Sequence, residues 1–223
     1  MNEISPSPTP IVIIGAGGHA KVVIELIAAS PSNRVVGLTD ADNSARQVAG
    51  VDVLGGDDIL PNLRNTGVTH AFVALGDNTR RHLVATRVRA LGFTLVNAIS
   101  SAAIISPSAR LGCGVAVMAG VVINAGSTIG DFAIINSGAV VDHDADLGEA
   151  CHVGPGCALA GSVTLGPRAF LGVGASVAPG VLIGETTMVG AGACVTVDLP
   201  AGVLAVGVPA RVVRTLNQTT EVS

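Results

Sequence analysis

From residue 99 onward every sixth position is aliphatic: Ile99, Ile105, Leu111, Val117, Ile123, Ile129, Ile135, Val141, Leu147, Val153, Leu159, Leu165, Leu171, Val177, Ile183, Val189 and Val195. An amphipathic helix repeats its apolar stripe at three and four residues and a half-buried strand at two, so a period of six belongs to neither. It fits a short strand plus a turn, repeated as the chain winds into a solenoid whose coils stack like side chain on like. Four places after each aliphatic residue stands a mostly small one, including Ser127, Ala133, Ala139, Ala145, Cys151, Cys157, Ala169 and Ala175, often followed by glycine. The interior of such a parallel β-helix is narrow. That accounts for a chain that is 49% hydrophobic yet only 2% aromatic, because rings would overpack the column that aliphatic and small side chains fill.

The hexapeptide pattern resembles the left-handed β-helix of acyltransferases, in which three hexapeptides make one triangular coil of eighteen residues. That resemblance implies a left-handed solenoid of between five and six coils over residues 99–200, with flat outer faces that pair into a homotrimer. Upstream, residues 11–96 read as a small α/β domain with a parallel sheet. Strands are expected at Ile11–Ile14, Val35–Leu38, Ala71–Leu75 and Phe93–Val96, and helices at His19–Ala29 and Thr79–Leu91. The first helix would bury Val22, Val23, Leu26 and Ile27. The domains are therefore 1–97 and 98–215, with polar tails at 1–10 and 216–223 that are expected to be mobile.

A net charge of −4 without a basic run provides no footprint for nucleic acid or an anionic membrane, so the expected ligands are small molecules. The absence of a signal-peptide pattern and the four scattered cysteines favour a reducing, cytoplasmic setting. Cys151 and Cys157 fall on the small inward positions and read as core.

Gly15-Ala16-Gly17-Gly18-His19 follows a strand and opens a helix, where backbone N–H groups and the helix dipole can hold a phosphate. Three readings stay open for it: a purely structural turn, a phosphate or sugar site, and a redox dinucleotide site, the last disfavoured because Ala20 stands where a third glycine is wanted. Ligands of open α/β sheets sit at the carboxyl ends of the strands. Gly17, Gly18, His19, Asp40, Gly76, Asn78 and Arg81 are accordingly the candidate substrate-binding residues, with helix capping the alternative for Asp77 and Asn78. In the solenoid, His143 is bracketed by Asp142 and Asp144, an arrangement in which a carboxylate orients an imidazole as a general base. A solvated charged turn is the bland alternative. The only other solenoid histidine, His152, lies nine residues on, half a coil away, so a site using both needs a neighbouring prism. Two histidines are too few for a zinc hydrolase site, and no metal is expected. Gly161 is eighteen residues after His143 and stacks on it, with its N–H open to a ligand oxygen.

G-A-G-G-H-A-K-V-V at 15–23, V-D-H-D at 141–144, C-H-V-G-P-G at 151–156 and G-V-P-A-R at 207–211, together with the hexapeptides, are similar to the bacterial nucleotide-sugar N-acetyltransferases of the bacillosamine and perosamine pathways, often described as sialic-acid O-acetyltransferase-like. The resemblance spans residues 11–214. It implies acetyl-CoA as co-substrate, a nucleotide-linked amino sugar as acceptor, sites between subunits of a trimer, and a role in O-antigen synthesis. It also implies His143 as catalytic base, Asp144 as its carboxylate, and His152, Gly161, Gly172, Gly174 and Ala191 as coenzyme-binding positions. His-Asp rather than His-Glu at 143–144 resembles the perosamine branch and favours a GDP-linked 4-amino-4,6-dideoxy sugar over the UDP-linked bacillosamine precursor. A sugar O-acetyltransferase, a nicotinamide enzyme and a non-enzymatic binding module are the other classes weighed.

Overall fold

The computed structural model describes residues 7–42 and 44–216. The chain divides into two compact units between Ile99 and Ser100.

The N-terminal unit is built from β1 (Thr9–Ile14), α1 (Gly18–Ala28), β2 (Asn33–Thr39), β3 (Gln47–Val48), β4 (Val51–Gly55), α2 (Leu60–Asn65), β5 (His70–Val73), α3 (Asn78–Ala90) and β6 (Thr94–Leu95). Its sheet has the order β3-β4-β2-β1-β5-β6 and is parallel except for β3, which pairs antiparallel with β4. β1 runs centrally, with Ile11, Val12 and Ile13 all 0% exposed, the continuous apolar run of a strand covered on both faces.

Several expectations change here. The first strand begins at Thr9, inside the expected tail, and Leu216 N donates to Gly202 O at 2.7 Å, so position 216 is tied down. The remaining tail positions, 1–6 and 217–223, lie outside the described residues. α1 buries Ala20, Val23, Ile24 and Ile27, a stripe spaced three, four and seven, while Val22 is exposed and Leu26 half-buried. The stripe is rotated toward Ile24, with Ala20 fully buried in the first turn. β3, β4 and α2 were not expected. The hairpin between β3 and β4 turns on Ala49 and Gly50, both at positive φ, and α2 carries Pro61 in its first turn.

In the second unit, short strands pair in parallel at a constant offset of eighteen. Ala116 pairs with Ile134, then His152, Phe170 and Met188 on one face; Ile104, Val122, Val140, Ala158, Ser176 and Cys194 follow on the second; Arg110, Thr128, Asp146, Thr164 and Leu182 on the third. Three strands per circuit make each coil a triangle. Every rung from Val117 to Val195 is at most 4% exposed, so the six-residue period is the core. The first rungs are less enclosed, with Ile105 and Leu111 half-buried, as befits the coil at the start of a stack. At the far end Val203–Val206 extends the first face and Arg211–Thr215 folds back antiparallel on it.

One of the three corners is glycine throughout, at 112, 130, 148, 166 and 184, and a second from Gly154 onward, for a steric reason. A Cβ on Gly148 would stand 2.5 Å from Pro167 N and one on Gly166 2.5 Å from Glu185 N, so the coils touch backbone to backbone there. Gly148→Ala is expected to destabilise the fold by about 1–3 kcal/mol, as overpacking does, read as a lowered thermal midpoint. An unchanged midpoint would show that the coils can separate at this corner.

Candidate active site

The third corner is different. At the positions equivalent to those glycines it carries Ser106, Asn124 and Asp142, followed by Ala160 and Ala178, and the residue after Asp142 is His143. This turn is held from the coils on both sides by residues about one circuit away in sequence. Asn124 Nδ2 donates to Asp142 Oδ1 at 2.9 Å. Ser127, fully buried, donates its hydroxyl to Asp142 O at 2.8 Å and accepts from Ala145 N at 3.2 Å. Asp144 N donates to Ala125 O at 2.9 Å, and Ser162 N to His143 O at 2.9 Å.

Within the turn, Asp144 adopts φ 58°, a left-handed conformation that Asp tolerates better than most residues. That conformation returns its carboxylate to the preceding ring, and His143 Nδ1 lies 2.9 Å from Asp144 Oδ2. The carboxylate accepts from Nδ1–H, leaving Nε2 as the basic nitrogen. Glycines on both sides make room for the pair. A Cβ on Gly161 would stand 2.6 Å from His143 Cε1 and 2.7 Å from Nε2, and one on Gly126 2.6 Å from Asp144 Oδ1. The hydrogen bond that His143 donates to Asp144, then the negative charge of Asp142, raise the His143 pKa above its ordinary value. The Asp142 carboxyl is held below the usual range by the Asn124 amide and then by the His143 N–H. An open cleft of about 460 Å³ is lined by Asp142, His143, Ala160, Gly161, Ser162, Pro179 and Gly180. The Gly161 N–H donates to no group among the described residues.

His152 occupies a flat face rather than a corner. Its ring meets Phe170 edge-on at 5.2 Å, and Asn136 Nδ2 lies 3.1 Å from its Nε2. Because the amide nitrogen donates, Nε2 accepts. Asn136 was missed in the sequence; it stands seven residues before His143, on the corner after its own strand, in a pattern with no metal or nucleophile signature. Gly172, Gly174 and Ala191 follow the corner beyond the His152 face, where a Cβ on Gly172 would stand 2.6 Å from Ala191 N. Within one chain the structure therefore gathers His143, Asp144 and Gly161 at one corner, and Gly172, Gly174 and Ala191 at another.

In the N-terminal unit the chain leaves β1 first for β2 on one side and later for β5 on the other, so the carboxyl end of β1 is a topological switch point. Gly15 takes φ +98°, and a Cβ there would meet Leu75 Cδ2 at 2.8 Å and Ala74 O at 3.0 Å. Gly17 and Gly18 face open space, Gly17 caps α1 with no side-chain bond, and within the first turn Ala20 N donates to Gly17 O at 3.2 Å. Asp40 turns inward: its Oδ2 accepts from Ala16 N at 2.6 Å and faces Arg46 Nη2 at 3.4 Å, so it braces the glycine turn. Arg81 is 1% exposed and donates to Leu75 O at 3.0 Å, Gly76 O at 3.1 Å and Asn78 Oδ1 at 2.8 Å, shaping the β5–α3 loop from below. Asp77 is the N-cap of α3, accepting from Arg80 N at 2.7 Å, so capping describes Asp77, whereas Asn78 is tied to Arg81. Burial, and then the charge of Arg81, lower the His19 pKa to about 4, keeping its ring neutral; Nε2 has no hydrogen-bond partner among the described residues.

Cys151 and Cys157 are fully buried; the Cys157 thiol donates to Gly172 O at 3.0 Å and burial pushes its pKa up, the opposite of an activated nucleophile. Among the described residues no group of three or more His, Cys, Asp or Glu could hold a metal ion, and no helix is long and apolar enough to cross a membrane.

Residues 10–88 match the PglD N-terminal domain family. Comparison with curated proteins found no match. Among solved structures, a histidine-to-asparagine variant of perosamine N-acetyltransferase from Caulobacter crescentus, in complex with CoA and GDP-perosamine, is 59% identical, with a TM-score of 0.89 over 91% of this chain and 96% of that one. PerB from Caulobacter crescentus, in complex with the same two ligands, is likewise 59% identical with a TM-score of 0.88, at the same coverage. The acetyltransferase domain of PglB from Neisseria gonorrhoeae is 36% identical, with a TM-score of 0.86 over 92% of this chain and 99% of that domain.

The chain belongs to the perosamine/bacillosamine-type N-acetyltransferases. As a member of these N-acetyltransferases it is an acyltransferase, and its solenoid is the left-handed β-helix of the hexapeptide class. A histidine–carboxylate pair beside an undonated backbone N–H is an arrangement that can take up a proton and donate to an oxyanion.

Proposed function

We propose that this N-acetyltransferase moves the acetyl group of acetyl-CoA onto the 4-amino group of a nucleotide-linked 4-amino-4,6-dideoxy sugar, with GDP-perosamine the favoured acceptor. The observation that carries the reading is 59% identity over nearly the whole chain to an enzyme crystallised with CoA and GDP-perosamine, combined with a corner that holds base and oxyanion donor together.

The amine nitrogen attacks the thioester carbon, the C–N bond forms, and the C–S bond breaks to release CoA thiolate. His143 Nε2 accepts the proton that the nitrogen loses and returns it to the departing sulfur. Asp144 steadies the imidazolium, and the Gly161 N–H meets the thioester oxygen while it carries negative charge. In the N-terminal unit the open first turn of α1 and the neutral His19 receive the nucleotide diphosphate, with Asp40 and Arg81 bracing the loops. Since His143 and His152 project from different sides of one prism, a second prism completes each site, and a closed homotrimer supplies it. His152, Gly172, Gly174 and Ala191 then line the coenzyme track. The protein works in the cytoplasm, and its product enters O-antigen assembly.

The test is a thiol-release assay with acetyl-CoA and a panel of GDP- and UDP-linked amino sugars with their hydroxy analogues. GDP-perosamine is expected to have the highest kcat/KM. Preference for a hydroxy analogue would transfer the protein to the O-acetyltransferases, and preference for a UDP-sugar to the bacillosamine branch.

A further inference from the structure

The reaction described above uses His143, Asp144 and Gly161, but it leaves unexplained why the turn begins with a second carboxylate. Asp142 lines the same cleft as His143. Its Oδ1 accepts two hydrogen bonds, from Asn124 Nδ2 at 2.9 Å and from the His143 backbone N–H at 2.8 Å. One carboxylate oxygen thus links the coil before the turn to the main chain of the base itself. Asn124 is offset from Asp142 by one circuit, and at the other two corners the equivalent positions are mostly glycines that could make no such link.

We infer that Asn124 and Asp142 are a positioning pair for the acetyl-transfer base: the amide fixes the carboxylate, and the carboxylate fixes the His143 backbone and adds a second negative charge beside its ring. The inference rests on the proposed role of His143. Among the described residues of one chain, the groups around this turn are Asp142 and Asp144 of the turn itself, Asn124, Gly126 and Ser127 of the preceding coil, which touch those carboxylates or the Asp142 carbonyl, and Ala160, Gly161, Ser162, Pro179 and Gly180 of the following coils, so the charged groups beside the ring are the two carboxylates. Asp144 contacts Nδ1 directly, whereas Asp142 acts on the ring through space. The two carboxylates therefore have separable roles, the nearer orienting the ring and the farther holding the chain that carries it.

Asp142→Asn is nearly isosteric: its amide oxygen can still accept from Asn124 and from the His143 N–H, so it removes charge while keeping shape. The ring of His143 is followed by NMR titration in the free protein, a readout that does not depend on any reaction, and kcat/KM is measured against pH alongside it. In Asp142→Asn the His143 titration is expected to move to lower pH, the acid limb of kcat/KM to move with it, and kcat/KM at its plateau to fall by up to about fivefold, the scale of an exposed charge pair. In Asn124→Ala the carboxylate loses its anchor while the charge stays, so kcat is expected to fall with the sugar KM little changed. Combining the two changes should give a limb no further displaced than Asp142→Asn alone. An NMR titration of Asp142→Asn that superimposes on the wild type overturns the inference even if acetyl transfer is confirmed. A displaced titration in a protein that transfers no acetyl group upholds the electrostatic link and removes the proposed function instead.

Discussion

His143→Ala is expected to lower kcat by about 10²- to 10⁴-fold, the range over which a general base contributes, with little change in the KM for the sugar. The ring stands at a solvent-open corner and is held by its neighbours rather than holding them, so its removal leaves the core untouched. The pH profile gives the argument a sign. The base works only when neutral, and its pKa is raised, first by the Asp144 hydrogen bond and then by the Asp142 charge. Activity in the parent protein should therefore fall as the pH drops through a value above 6.5, and that limb should vanish in the variant, leaving only the titration of the substrate amine. Steady-state thiol release between pH 5.5 and 9 reads both effects. Near-wild-type turnover at neutral pH would take His143 out of the base role. An amine is already a capable nucleophile, so a loss at the small end of the range would assign more of the catalysis to positioning.

Gly161→Ala should be nearly as damaging to turnover and much milder to the fold. Gly161 lies outside the left-handed region, so alanine can adopt its backbone, but the new methyl would stand 2.6 Å from His143 Cε1. The neighbour in the way is the end of a side chain, free to swing, whereas at Gly148 it is main chain. The ring must rotate off Asp144 and away from the cleft. A displacement of about 1 Å in a reacting group costs on the order of 10²-fold, so kcat is expected to fall by that factor while the thermal midpoint changes little. Gly148→Ala makes the comparison internal: it should lose stability and retain kcat per folded molecule. If Gly161→Ala were fully active, the ring would have room that the packing of the two coils does not show.

The solenoid was readable because one residue in every six faces the axis, and an aliphatic there leaves a trace that no turn or surface residue can blur. The stacking of Gly161 on His143 was readable for the same reason, since a circuit of eighteen follows once three hexapeptides close a triangle. The same arithmetic applied backwards from the turn finds Asn124 and Gly126, which went unnoticed because a lone Asn in a solenoid looks like surface, and Ser127, which was read as a small inward residue without its hydrogen bonds to the turn. In the N-terminal unit, α2 is six residues long and too short to show periodicity, although Pro61 in its first turn was a usable sign. The hairpin of β3 and β4 turns on Ala49-Gly50, and alanine at positive φ carries no turn signal. Arg81 has a setting the sequence did not show, because the sequence cannot tell an arginine that faces a ligand from one that ties three acceptors beneath a loop.

The alignment of Asn124, His143 and Gly161 across three successive coils also restricts how this stretch can evolve. Losing or gaining one hexapeptide between Asn124 and Gly161 would keep an aliphatic residue on the axis and the core intact, yet carry everything downstream a third of a circuit around. The turn that carries the imidazole would then lose its amide anchor if the change fell before His143, or its glycine niche if it fell after. On the proposed reading, insertions and deletions that preserve chemistry here come in whole circuits of eighteen, so the segment is quantised in length, and a single hexapeptide gained or lost there is expected to give a protein that folds without acetyl-transfer activity.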